Sequence, residues 1–193
     1  MKVMEDVQKE ARTGLAEMQP SAAQLIKNEL VKAGVKLVVT VPDSRIKELY
    51  SLIVAEPQWK TVLVTKEDEG IGICCGAYFG GARSALVMAN AGFLTVGYPL
   101  VTLSMFHRIP LFMLISNRGT IGDTAHFQEY QGIVTKPVLD AMGVANWTVD
   151  TPDKIHNVGR AIAHARLYKR PVAVLLEDEV VDKSEHGYLK SGN

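Results

Sequence analysis

Cysteine is nearly absent: the chain has only Cys74 and Cys75, side by side. Adjacent cysteines do not readily bridge each other, and no C-x-x-C or Cys/His spacing occurs, so neither a disulfide framework nor a zinc module is expected. A reduced, cytoplasmic setting follows. Excess charge is also lacking, since Lys plus Arg number 21 and Asp plus Glu number 21. That argues against a nucleic-acid binder held by bulk charge and against a polybasic membrane anchor. No apolar run reaches the roughly 20 residues that span a bilayer. Residues 1–18 mix charges throughout, unlike a secretory signal. There is no G-x-G-x-x-G after the first strand, no Walker A lysine and no G-x-S-x-G elbow. A Rossmann dinucleotide site, a P-loop and an elbow-type serine hydrolase are thereby disfavoured.

With 193 residues, 47% hydrophobic and 22% charged, the chain has the length and composition of one soluble globular domain. Residues 1–19 read as a polar helical arm, 20–182 as the body and 183–193 as a tail. Ser21 is a candidate N-cap for a helix carrying Leu25, Ile26 and Leu30, stopped by Gly34. Apolar runs at 36–41, 61–65, 84–88, 111–115, 147–149 and 172–176 read as strands. Helices are expected around 46–53, 68–79, 96–105 and 133–142, with a last one capped by Thr151 and opened by Pro152. Strands that are continuous Val/Leu/Ile runs, alternating with helices, indicate a doubly wound α/β fold with a six-stranded, mainly parallel sheet covered on both faces. Ligands in such folds bind at the carboxyl ends of the strands. The segments to inspect are 42–45, 65–70, 89–95 and 116–132.

Lys66-Glu67-Asp68-Glu69-Gly70 places three carboxylates where a strand gives way to a helix. Acids there can serve the helix dipole or sit in a ligand cleft. Gly70, Gly72, Gly76, Gly80 and Gly81 then crowd one helix, at about 1 kcal/mol per interior glycine, which suggests close approach of a partner helix or a cofactor. Gly92, after the third strand, permits either a tight turn or close backbone approach. The polar stretch 116–132 contains Arg118, an oxyanion-binding type, and His126, which is either an acid–base group or a surface residue. The remaining histidines show no metal spacing, and His156 and His164 fall in the last helical pattern.

The order of these motifs resembles the pyrimidine-binding (PYR) domain of thiamine diphosphate enzymes that decarboxylate 2-oxo acids, nearest to the sulfopyruvate and phosphonopyruvate decarboxylases. The likeness spans roughly residues 20–180. It is carried by Val64-Thr65-Lys66-Glu67-Asp68-Glu69-Gly70, Cys75-Gly76-Ala77-Tyr78-Phe79-Gly80-Gly81, Leu86-Val87-Met88-Ala89-Asn90-Ala91-Gly92, Arg108-Ile109-Pro110-Leu111 and Asn117-Arg118-Gly119. It implies that Glu67, or Glu69 if the register slips, shares a proton with the cofactor's aminopyrimidine. It further implies that Gly70, Asn90 and Gly92 border the cofactor. Arg118, Gln128 and His126 become candidates for substrate contact or proton relay, whereas Arg108 precedes a strand and lies at its wrong end. Met88-Ala89-Asn90-Ala91-Gly92 departs from the family's Met-Gln-Asn-Ser-Gly, which leaves the substrate open among sulfopyruvate, phosphonopyruvate and other 3-substituted pyruvates.

The family also needs a diphosphate-binding domain bearing Gly-Asp-Gly, whose residues hold Mg²⁺. Gly122-Asp123-Thr124 is not that motif. The resemblance therefore implies a separate diphosphate-binding (beta) subunit that supplies the Mg²⁺ ligands, in a heterotetramer or larger, with helix 70–81 and turn 90–98 at the interface. Two other readings are a non-catalytic scaffold subunit of the same fold and a flavodoxin-type binder. The second is disfavoured because Pro42-Asp43-Ser44-Arg45 lacks the Ser/Thr/Gly run that grips phosphate.

Overall fold

Ser21 starts the first helix by a reciprocal cap. Its hydroxyl accepts from the Gln24 N–H at 3.1 Å, and its own N–H donates to Gln24 Oε1 at 3.2 Å. The computed structural model describes residues 20–121, 123, 126–177 and 180–181. The arm expected over 1–19 and the tail over 183–193 lie outside these.

Helix α1 (Ala22–Lys32) buries Ala23, Ile26 and Leu30. Strand β1 (Leu37–Thr40) leads through a 3-10 turn, Ser44–Ile46, into α2 (Lys47–Ala55). Next come β2 (Lys60–Leu63), α3 (Glu67–Phe79), β3 (Ser84–Ala89) and the four-residue α4 (Asn90–Phe93). Helix α5 (Gly97–Pro99) continues as a π-helical stretch, Leu100–Met105, before β4 (Leu111–Ser116). A 3-10 turn, His126–Gln128, opens α6 (Glu129–Ala141), followed by β5 (Ala145–Val149), α7 (Asn157–Tyr168) and β6 (Pro171–Leu176).

The six strands are all parallel, in the order β2-β1-β3-β4-β6-β5. Side chains alternate across β4: Phe112 and Leu114 join one core with Ile26, Leu30 and Ile53, whereas Met113 and Ile115 join the other with Ile71, Phe93 and Leu139. Each such side chain, once buried, contributes roughly 1.5–3 kcal/mol. Every residue of β4 and β6 is buried, which is why these strands read as unbroken apolar runs. From β1 the chain turns outward to β2, and from β3 it turns the other way to β4. The crevice between β1 and β3 is therefore the topological switch point.

Two boundaries differ from the sequence reading. Helix α6 begins at Glu129, not near 133, so the functional stretch ends in a 3-10 turn and a first helical turn. Pro152 opens a separate 3-10 turn, Pro152–Lys154, and α7 begins only at Asn157. Thr151 does not cap either, because its hydroxyl donates to Asp150 Oδ1 at 3.3 Å.

Candidate active site

Glu67 is the first residue of α3 and is half-buried. Its carboxyl lies against the backbone of Gly92, in the turn at the carboxyl end of β3. A Cβ added at Gly92 would overlap Glu67 Oε1, Cδ and Cγ. The close approach is set from below by Gly70, where a Cβ would stand 2.6 Å from Leu86 Cδ1 and 3.3 Å from Val39 Cγ1. Lacking one, α3 settles onto β1 and β3 and carries Glu67 over the crevice. The neighbouring acids are otherwise engaged. Glu69 is exposed and accepts from the Thr65 N–H at 3.1 Å; Asp68 accepts from the Glu69 N–H at 2.9 Å. Both support the start of α3.

The strand ends are tied together by a polar network. Asn90, fully buried, donates from Nδ2 to the Arg118 carbonyl at 2.8 Å and to Asn117 Oδ1 at 3.3 Å. Asn117 Nδ2 donates to Glu177 Oε1 at 3.4 Å, and the Ser116 hydroxyl donates to the Asp43 carboxylate. The ends of β1, β3, β4 and β6 are thus joined by side chains. Asp43, Ser116 and Asn117 fall in segments the sequence points to without being singled out as site residues, and Glu177 falls outside them. Each is among the first polar residues after an apolar strand, which is the signal that marks them.

Arg118 is buried and committed. Its Nε donates to Asp123 Oδ2 at 2.9 Å, in a pair whose side chains are 5% and 1% exposed. The same oxygen accepts from the Gly119 N–H at 2.9 Å. Gly119 has φ 78°, and the Gln128 carbonyl fills the space where a Cβ would go. That contact docks Gly119 onto the start of α6. The Arg118 guanidinium is consequently not a free arm, yet its Nη2 is buried without a hydrogen bond. So are Asn90 Oδ1, Thr120 Oγ1, Gln128 Oε1 and Gln131 Oε1. A buried polar atom left unpaired costs about 1–3 kcal/mol. Five of the unpaired atoms thus fall on residues 90, 118, 120, 128 and 131, near the carboxyl ends of β3 and β4.

His126 is exposed, with its ring edge-on to Phe127 at 5.8 Å, and none of the described contacts joins it to Glu67. His164 packs between Trp147 and Tyr168, at 5.4 and 4.4 Å. Gly72 and Gly76 are exposed and meet nothing within 4 Å, so this chain does not use them for its own packing. Burial pushes the Cys74 thiol up to about 12 and that of Cys75 to about 11, leaving both without nucleophilic character near neutrality. Among the described residues, no group of three or more His, Cys, Asp or Glu is placed to hold a metal ion, and no helix is long and apolar enough to cross a membrane.

No family model matches the chain. Among curated proteins, the sulfopyruvate decarboxylase subunit alpha of Methanococcus maripaludis is 28% identical over 158 residues, 81% of this chain and 95% of the relative. The chain is similar to sulfopyruvate decarboxylase alpha subunits. It also matches the phosphonopyruvate decarboxylase of Streptomyces viridochromogenes, 30% identical over 167 residues, but spans only 41% of that longer protein. Among solved structures, the 2-oxoglutarate:ferredoxin oxidoreductase of Magnetococcus marinus, with 2-oxoglutarate, coenzyme A and succinyl-CoA bound, superposes with a TM-score of 0.57. Identity there is 15%, over 83% of this chain and 29% of that one, so the fold is what the two share. It is the α/β fold with a parallel sheet that both the strand pattern and the resemblance implied.

Proposed function

We propose that this chain is the PYR-domain alpha subunit of a two-subunit, thiamine diphosphate-dependent 2-oxo acid decarboxylase, acting on sulfopyruvate to give sulfoacetaldehyde and CO₂. The observation that carries the reading is the Glu67 carboxyl lodged against side-chain-free Gly92 at the switch point.

The residues present suit an aminopyrimidine. Glu67, seated in the space that Gly92 leaves it, offers a carboxyl to N1′, and Asn90 Oδ1 is a buried acceptor that lacks a donor. When bound, thiamine diphosphate supplies the electron sink that decarboxylation of a 2-oxo acid requires. Glu67 holds and returns the proton at N1′. Arg118, oriented by Asp123, presents its unpaired Nη2 to the sulfonate, a charge-assisted bond to an anionic head. Gln128 supplies a second polar contact to substrate, and His126 is the candidate for relaying a proton to product.

Lengths support a partner. This chain covers nearly all of a relative named an alpha subunit, but under half of a relative whose name carries no subunit. A diphosphate-binding beta subunit, with the Mg²⁺ ligands, would supply what this chain lacks of the longer one. Exposed Gly72 and Gly76 on α3, with Leu94 and Tyr98 beyond Gly92, are the surface it would cover.

The test is CO₂ release from the chain co-purified with its beta subunit. Glu67→Gln should lower turnover at least about 10²-fold with assembly intact, and Glu69→Gln should change it little. Unchanged turnover in Glu67→Gln would sink the assignment. The 30% identity to a phosphonopyruvate decarboxylase makes phosphonopyruvate the rival substrate. The larger kcat/KM of the two decides between them.

A further inference from the structure

The amino end of the sheet, opposite Glu67, concentrates positive charge in a chain that is neutral as a whole. Three segments meet there: 80–84, 106–110 and 165–171. They contain Arg83, Arg108, Arg166, Lys169 and Arg170, and no Asp or Glu. Strand register brings them together, because Leu111 pairs with Pro171 and β3 lies beside β4. One of these cations already serves the fold, since Arg83 Nη1 donates to the Ala33 carbonyl at 2.6 Å and closes the end of α1. Among the described residues, no carboxylate pairs with any of the five.

A cleft of about 200 Å³ opens between these segments. Arg83, Ser84 and Arg166 line one part of it, and Tyr78, Phe112 and Ile162 supply an apolar wall. A second observation is independent of charge. The two non-glycine residues with positive φ among those described are Arg108, at 53°, and Lys169, at 50°. Both belong to this end. Lys169 ends α7 as a left-handed cap and Arg108 ends the turns after the π-helical stretch, positions that favour glycine, yet each carries a long cation.

We propose that this cleft is a second ligand site, for a small organic anion: a phosphate, sulfonate or carboxylate head gripped by Arg83 and Arg166, on an apolar body lying against Tyr78, Phe112 and Ile162. A concave cleft with one apolar wall selects a small molecule over an extended polyanion. The site stands at the far end of the strands from Glu67, so its occupant is not the substrate in the act of reaction but a ligand bound alongside. The inference does not depend on the proposed decarboxylase activity.

Calorimetric titration of the full chain with phenyl phosphate, benzenesulfonate, benzoate and neutral phenol tests it. At least one anion should bind saturably below about 10 mM while phenol does not, and the three anions rank the head group. Arg166→Gln, an exposed change, should weaken that anion about tenfold. Glu67→Gln should bind as the parent does. Absence of saturable binding, or equal binding by parent and Arg166→Gln, overturns the proposal. So does loss of binding in Arg118→Gln alone, which would put the ligand at the other end. Heparin binding that responds to Arg166→Gln, with no gain of phenyl phosphate over inorganic phosphate, would assign the charge to a polyanionic partner and overturn it as well.

Discussion

Gly92 carries as much of the site as Glu67 does, because it is the space that the carboxyl occupies. Gly92→Ala would force the Glu67 side chain out of its place. The backbone there is an ordinary helical turn, so the fold should persist. Misplacement of a reacting group by about 1 Å can cost about 10²-fold. Steady-state decarboxylation by the reconstituted enzyme should fall by that order, and the circular dichroism spectrum should match the parent. A variant at full activity would show that the carboxyl does not act from where it lies. The residue scale is also where the sequence is least legible. Glu67, Asn90 and Gly92 stand out through local pattern. The Ser116–Asp43 bond joins residues 73 apart, and no local pattern reports such a pair. Arg118 is legible as a cation but not as one already held by Asp123.

At the scale of elements, α3 has two faces with different duties. Gly70 meets the sheet, whereas Gly72 and Gly76 look outward into open space. Substituting the second kind should help the helix alone, by roughly 0.8 kcal/mol or more for a good helix former. Gly76→Leu is therefore expected to raise the melting temperature of the isolated chain slightly. Once the proposed beta subunit is added, the same leucine should block close helix approach and leave the two chains separate on size exclusion. Co-elution as for the parent would remove α3 from the interface. The strands and most helices are legible because burial on both faces writes itself as continuous Val, Leu and Ile. The start of α6 is not, since Gln128 and Gly132 answer to the contacts of Gly119 and not to helical periodicity. Thr151 has the residue type of a cap but is diverted by its neighbour Asp150.

For the whole molecule, net charge zero hides an uneven distribution. The cations of 80–84, 106–110 and 165–171 lie at the end opposite Glu67, while three lysine–carboxylate pairs, one with buried Glu56, shape the response to acid. Hydrogen bonds from Lys27, Lys136 and Lys154 hold Glu56, Asp140 and Asp150 below the usual carboxylate range, at nitrogen–oxygen distances of 2.7, 2.8 and 2.7 Å. A carboxyl whose folded pKa is depressed adds stability above its unfolded value and loses it as pH falls through the folded value. Melting temperature should thus hold steady near neutrality and decline below about pH 4. The hydrogen bond to Asp150 also raises Lys154, whose share is present below its unfolded value and disappears only in strong alkali. Scanning calorimetry from pH 3 to neutrality, at roughly physiological salt, reads the acid limb. A flat profile throughout would mean that these pairs contribute nothing.

Strand β6 is the last of the described strands in sequence, yet it lies between β4 and β5. During synthesis, therefore, β5 has no neighbour to pair with until residues 171–176 leave the ribosome. Up to that moment no more than four of the six strands have a partner available. The interval before it is therefore the time when an edge of β4 is open to the wrong neighbour.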